Sequence, residues 1–212
     1  MTNDPSVVAQ DGRPVGKRGA QTRRKLLDAT AQLLEHHGVR DLRVVDIARE
    51  VGTSPATFYQ YFRDVEEAVL ALASDVGDEL EPLAALLDGA WEGDDGLDAA
   101  RALVDGFIVY WDRHRAVLRT RNLAAQEGDA RFREVRNRTL GVFTQRISAK
   151  VAESQAAGRV VPELSAAAAG AALVALIERM AAFHFDLEPL GVARADLVET
   201  TARILHQTVT GT

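Results

Sequence analysis

Residues 44–62, VVDIAREVGTSPATFYQYF, constrain this chain more than any other stretch, because they spell two short helices separated by one tight turn. Val44, Ile47, Ala48 and Val51 recur at i, i+3, i+4 and i+7, which is one apolar stripe of a helix. Gly52 stops that helix. Ser54 restarts one as an N-cap, and Pro55 takes the first helical position, where its missing N–H costs nothing. Two short helices across a glycine-containing turn form a helix-turn-helix. The following ThrPheTyrGlnTyrPhe, residues 57–62, is rich in hydroxyls and aromatics and carries no charge. That composition suits a helix pressed into a major groove, with hydroxyls reaching phosphates and a glutamine reaching base edges. Tyr59 and Tyr61, two residues apart, cannot both face one core, so at least one hydroxyl points outward.

Charge supports this reading only when it is resolved along the chain. The 212 residues carry a net charge of −6, which by itself argues against a nucleic-acid binder. Residues 1–63, however, hold ten Lys and Arg against seven Asp and Glu, while the remainder holds 15 against 24. Arg13, Lys17, Arg18, Arg23, Arg24 and Lys25 fall in a run with no acid among them. A basic head on an acidic body is expected where only the head meets phosphate. Residues 1–19 read as a flexible basic arm, either a solvated tail or a strand that follows the DNA backbone or enters a minor groove.

Past the head the chain reads as helices throughout, with no convincing strand. Leu26, Thr30, Leu33, Leu34 and His37 form the inner stripe of a first helix. A fourth is expected over 64–80, ended by Pro82, and a loop over Gly89 to Gly96. Further helices are expected over 97–113, 115–126, 131–157, 165–186 and 194–209, with Gly158 ending the long one in the left-handed region. Nine helices result. The stretch 165–182 is small or apolar on nearly every face and is expected to be buried on several sides. With the stripe Leu197, Thr201, Ile204, Leu205 and Thr208 on the last helix, it could form half of a four-helix dimer interface or simply an interior helix. No apolar run approaches the roughly 18 residues of a membrane span, and the N-terminal sequence lacks an apolar signal segment, so a cytoplasmic protein without membrane contact is expected.

The residues of the two reading helices resemble the tetracycline-repressor (TetR) family of bacterial transcription regulators. The likeness covers roughly residues 20–72 and rests on Asp46-Ile47-Ala48, Val51-Gly52-Thr53-Ser54 and Thr57-Phe58-Tyr59-Gln60-Tyr61-Phe62. It is supported by Leu26-Leu27-Asp28-Ala29-Thr30, Leu33-Leu34 and Gly38. Two positions depart from the family pattern. Val65 stands where a lysine usually touches phosphate, so either Arg63 supplies the cation or affinity is lower. Arg43 stands where Thr or Ser usually opens the second helix, so that the cap is expected from Asp41. The resemblance implies an all-α, nine-helix fold: residues 20–64 form the DNA-binding head, and residues 65–212 a body that binds ligand and dimerises. It also implies a homodimer on a palindromic operator of double-stranded DNA. In the head, Pro55 and Ala56 would face bases and Gln60 would pair with adenine. Ser54, Thr57, Tyr59, Tyr61 and Arg63 would hold phosphates, with Arg43 in addition.

Bulky groups at Phe107, Trp111, Phe143, Met180 and Phe183 read from the residues alone as core packing. The resemblance adds a second reading. His114-Arg115-Ala116-Val117-Leu118-Arg119 and Ile177-Glu178-Arg179 resemble a mycobacterial branch of the family, repressors of the ethionamide-activating monooxygenase. That likeness puts Phe107, Trp111, Phe143, Val174 and Ile177 along a long hydrophobic tunnel for a small apolar effector. The branch's ligand-holding asparagines fall on Val174 and Ile177, so the ligand would be more apolar, or held by Asn122 or Glu178. Arg113, Arg115, Arg119, Arg121, Arg131, Arg133, Arg136 and Arg138 crowd one stretch and read as solvated faces paired with Glu127, Asp129 and Glu134. Their minority reading is a cationic mouth for an acyl-CoA thioester.

Other function classes fare worse. The five histidines, His36, His37, His114, His184 and His206, are scattered, and neither a phosphate-binding loop nor a dinucleotide fingerprint appears. The absence of cysteine excludes disulfides, thiol catalysis and Cys-ligated metal; with these motifs missing, neither an enzyme nor a cofactor is expected, and His184 reads as a satisfied buried group near Glu178. The remaining rivals are a helical dimer whose head packs on another protein and an acyl-CoA-responsive activator. The expected function is a ligand-responsive, homodimeric repressor released from DNA by its effector.

Overall fold

The computed structural model describes residues 16–212, and its chain divides into two compact units. Among the described residues there are nine α-helices and no strand: α1 Lys17–Leu34, α2 Val44–Val51, α3 Pro55–Tyr59, α4 Val65–Asp78, α5 Glu81–Ala84, α6 Gly93–Gln126, α7 Ala130–Ala156, α8 Ala166–Leu187 and α9 Arg194–Thr210. Most of the expected basic arm falls on residues 1–15, outside the described residues; Lys17 and Arg18 already belong to α1.

The first unit takes residues up to Val76 together with Ala116–Val135. Its core joins Leu26, Leu27 and Leu34 of α1, Ile47 of α2, Phe58 and Phe62 at the recognition segment, Val69 and Leu72 of α4, and Val117, Phe132 and Val135. Thr30 is buried as expected, its hydroxyl donating 2.7 Å back to the Leu26 carbonyl. His37 is not part of this stripe. The helix ends at Leu34, the His36 and His37 N–H groups fold back onto the Leu33 carbonyl, and the His37 ring is left exposed. At the start of α4, Glu67 accepts from the Arg63 N–H (2.5 Å) and Asp64 accepts from the Glu67 N–H (2.8 Å). This reciprocal pairing satisfies two donors at the helix entrance.

The second unit takes Gly77–Arg115 and Arg136–Thr212. Pro82 does not close α4, which has ended at Asp78; it sits in the first turn of α5, where a proline is tolerated. The loop expected as far as Gly96 is shorter, because Gly93 already opens α6. Asp94 and Asp95 lie in its first turn, where anions are favoured, and Gly96 runs so close to the Trp91 carbonyl that a Cβ would overlap it. The helices expected over 97–113 and 115–126 are one element broken at His114 (φ −119, ψ 19). α7 ends as expected at Gly158, with φ +73. Glu199 of α9 binds Arg101 of α6 (2.6 Å), and Arg194 binds Asp105 (2.7 Å).

α8 corrects two expectations. It is buried on one side rather than several: Ala169, Leu173, Val174, Ile177, Ala181 and His184 face inward, while Ala168, Ala171, Ala172, Ala175 and Phe183 lie exposed. Residues Ala166–Leu190 are also long and apolar enough, by length and composition, to cross a membrane, with a mean hydropathy of 1.6. The many alanines raise that average. The same stretch carries the buried Glu178, whose carboxylate pairs with Arg136 of α7.

Candidate functional site

The recognition segment is placed by a few local decisions. Gly52 closes α2 in the left-handed region (φ 71, ψ 35), which a β-branched residue would enter only with strain. Ser54 then caps α3: its Oγ accepts from the Thr57 N–H at 3.2 Å and lies 3.1 Å from the Thr57 hydroxyl. Pro55 occupies the first turn. Five residues of α3 are too few to hold a helix alone, so Phe58 and Phe62 anchor it, both buried and with ring centroids 5.4 Å apart. The helical segment is shorter than the motif, and Gln60 is its C-cap.

With those two rings inward, the exposed row is Ser54, Pro55, Ala56, Tyr59 and Gln60, with Thr57 and Tyr61 half-buried. Tyr59 is 52% exposed, which satisfies the argument from spacing that one tyrosine must turn out. The face is neutral and polar. Arg63 is exposed nearby in sequence, its Nε 3.4 Å from Asp64.

Asp41 does not cap α2. Arg43 is the N-cap residue, no side chain caps the helix, and the Arg43 guanidinium instead forks onto Asp46 through Nε (2.8 Å) and Nη2 (3.3 Å). Arg49 donates to the same carboxylate at 3.2 Å. Asp46 and Arg49 were not among the expected site residues, although the spacing of 43, 46 and 49 already places all three on one helical edge.

In the second unit the expected effector residues are all buried: Phe107 and Trp111 on α6, Phe143 on α7, and Val174 and Ile177 on α8. The Phe107 and Phe143 rings meet edge to face, with centroids 4.9 Å apart. Phe183 and Met180 do not join this cluster as buried groups. Phe183 is exposed under the Arg179 guanidinium, 3.7 Å from its ring centroid, and Met180 is half-buried. Of the two alternative polar anchors, Glu178 pairs with Arg136, and the Asn122 amide oxygen accepts from Arg121 Nε at 3.0 Å. His184 is buried and satisfied as expected, but by the Ala181 carbonyl (3.0 Å) and Asp112 (3.4 Å) rather than by Glu178.

Several arginines of the arginine-rich stretch are paired with carboxylates. Arg131 binds Asp129 (2.7 Å) and Glu66, and holds the Asp129 carboxyl down to about 2. Glu127 pairs instead with Arg40 at 3.1 Å, Arg113 lies 3.8 Å from Glu79, and Arg115 lies 3.7 Å from Asp112. Arg121 is fully buried. Among the described residues no group of three or more His, Asp or Glu could hold a metal ion.

Two family models match the chain. Residues 26–72 match the model described as bacterial regulatory proteins, tetR family, and residues 83–212 match the tetracyclin repressor-like C-terminal domain. A similar fold is found in the fatty acid degradation regulator FadR of Bacillus halodurans (18% identity, 90% of this chain and 95% of that chain, TM-score 0.64). It is also found in FadR of Bacillus subtilis, solved with stearoyl-CoA (16%, 89% and 98%, TM-score 0.65). A TetR/AcrR-family regulator of Thermobifida fusca is similar to the same extent (23%, 88% and 97%, TM-score 0.65).

Proposed function

Because this chain belongs to the TetR family of bacterial regulatory proteins, as a DNA-binding transcriptional regulator rather than an enzyme, we propose that it is a homodimeric repressor released from a palindromic operator by a small apolar effector. The observation that carries the reading is the outward row Ser54, Pro55, Ala56, Tyr59 and Gln60, held by two buried phenylalanines. A neutral row of this kind fits a groove in which base edges, not bulk charge, decide the site. Pro55 and Ala56 meet bases, with thymine methyls as apolar contacts, and Gln60 pairs with adenine. Ser54, Thr57, Tyr59, Tyr61, Arg63 and Arg43 hold phosphates.

The functional division follows the same logic: a reading head over 20–64 and a ligand-binding and dimerisation body over 65–212, acting in the cytoplasm. A single helix-turn-helix covers only one half-site, so two copies are required on a palindrome, with half-sites about 34–36 Å apart. The exposed face of α8, with Ala168, Ala171, Ala172, Ala175 and Phe183, and the exposed Ile204 of α9 supply a surface on which small residues allow two helices to approach closely. Leu197, Thr201 and Leu205 are spent inside the protomer, so they serve the interface only by supporting α9. The effector is held among Phe107, Trp111, Phe143, Val174 and Ile177, and it releases DNA because it favours a dimer geometry that no longer fits both half-sites. The likeness to the ethionamide branch rests on sequence alone. The acyl-CoA-responsive alternative draws on the stearoyl-CoA bound to the Bacillus subtilis FadR; the dispersal of the arginines onto carboxylates weighs against it here.

The test is selection of genomic fragments by the purified protein at two salt concentrations. A palindromic motif with half-sites about one turn apart is the expected result; recovery of no motif would leave a helical dimer without sequence-specific binding. On the selected fragment, Tyr59→Phe is expected to weaken binding to all sequences alike, while Gln60→Ala relaxes preference at one base pair, a change of about 1–3 kcal/mol in discrimination. Equal effects of both on every sequence would refute these roles. Trp111→Phe, which keeps the interior largely filled, is expected to alter the effector response and leave DNA affinity unchanged in a gel-shift titration. A change in melting temperature with an unchanged response would make Trp111 a packing residue only.

A further inference from the structure

We propose that Asp46 is a positioning residue of the DNA interface: it holds Arg43 and Arg49 on one carboxylate so that both guanidinium groups stand ready for backbone phosphates, and Arg49 is thereby a phosphate contact. The proposal rests on the DNA-binding reading and adds to it a residue pair outside the recognition helix.

The geometry carries the inference. Arg43 spends Nε and Nη2 on Asp46, and Arg49 spends only Nη1. A guanidinium has five N–H donors, so Arg43 keeps Nη1, and Arg49 keeps Nε and Nη2, outside the bonds to Asp46. Both arginine side chains are 72% exposed, whereas the carboxylate between them is 23% exposed. The cluster is therefore anchored from below and open above. It lies on α2, the first helix of the reading pair, and in this motif the first helix crosses the phosphate backbone.

Stability does not account for the arrangement. Exposed ion pairs contribute little to a fold, and fixing two arginines sacrifices their rotamer freedom. Binding does account for it, because a side chain already ordered gives up less freedom when a phosphate arrives. The Arg43 hydrogen bonds, with the charge of Arg49 nearby, keep the Asp46 carboxyl below the usual carboxylate range, so the anchor stays ionised at neutral pH. The cluster retains a net positive charge after the pairing.

The sign of one substitution decides the matter. Asp46→Asn keeps the shape and removes an anion beside the phosphates, so simple electrostatics requires tighter binding to any duplex. If Asp46 positions the arginines, Asp46→Asn instead weakens binding by roughly tenfold. The weakening is equal on a duplex recovered in the selection and on an unrelated duplex of the same length, because phosphate contacts carry no sequence. Arg49→Ala lowers affinity for both, and it makes the plot of log K against log salt shallower by about 0.9 between roughly 50 and 200 mM. In a chain already carrying Arg43→Ala and Arg49→Ala, the further change Asp46→Asn no longer weakens binding. Thermal melts of each variant separate these effects from loss of α2, and Arg49, exposed near the helix C-terminus, gives a measurement away from the helix N-terminus. Unchanged or tighter binding by Asp46→Asn, or an unchanged salt slope for Arg49→Ala, overturns the proposal while the regulator reading stands. A wild-type chain that binds neither duplex overturns both.

Discussion

Phe58→Ala is expected to abolish DNA binding and to cost the first unit about 3–5 kcal/mol, the range for deleting a buried aromatic ring. Phe58 is 0% exposed, packs against Phe62, and meets Tyr59 edge to face at 5.9 Å. The effect on binding exceeds the effect on stability, because α3 has only five residues and depends on the buried rings of Phe58 and Phe62 for its orientation. Losing the ring frees the very segment that displays Tyr59 and Gln60. Urea melts followed by circular dichroism, paired with DNA titration at a concentration where the variant is still folded, separate the two consequences. Tyr59→Ala, at a position 52% exposed, serves as the contrast: binding falls while the midpoint of unfolding hardly moves. A folded Phe58→Ala variant with undiminished DNA affinity would mean that the recognition segment is oriented by something other than this ring.

The contrast between Phe58 and Asp46 also explains what could be read from the sequence. Signals that act within a few residues were legible. Gly52 and Gly158 sit at positive φ, Ser54 caps α3, and Phe58 and Phe62 are inward where Tyr59 is outward. Phe107, Trp111, Phe143, Val174 and Ile177 are all buried, as core packing and a lined tunnel would both have it. Partner choice among charges was not legible. Arg40 and Glu127 are 87 residues apart, and Arg136 and Glu178 are 42 apart, so no local pattern announces either pair. Of the acidic partners expected for the arginine-rich stretch, Asp129 does pair with Arg131, two residues away, whereas Glu127 pairs with Arg40 and Arg131 also reaches Glu66. The acid-rich turn before Leu97 was read as a loop because its glycines usually break helices. Once the chain passes close to Trp91, the same Gly96 becomes a packing requirement inside α6. The alanines of α8 were expected to be buried on several sides because composition cannot tell which half of a helix has a neighbour.

That unread pair on α7 and α8 supports the other large expectation. The Glu178 carboxylate is 8% exposed and that of its partner Arg136 about a third exposed (34%). Glu178 follows directly after Ile177 and lies one turn beyond Val174, so its charge stands beside the apolar residues assigned to the effector. Breaking a buried pair by removing one member costs about 3–5 kcal/mol, because the survivor keeps its charge and loses its compensation. Arg136 reaches solvent in part, so Glu178→Ala is expected at the low end, near 3 kcal/mol. Arg136→Met combined with Glu178→Leu removes both charges and fills the space, and it should recover most of that loss. Denaturant midpoints for Arg136→Met, Glu178→Leu and the double variant form a cycle that measures the coupling directly. Strong coupling with recovery in the double variant means that the pair is needed only because each charge is there to be compensated, and that an uncharged pair would hold α7 and α8 equally well. A double variant as unstable as Glu178→Ala would mean that the carboxylate serves contacts beyond Arg136.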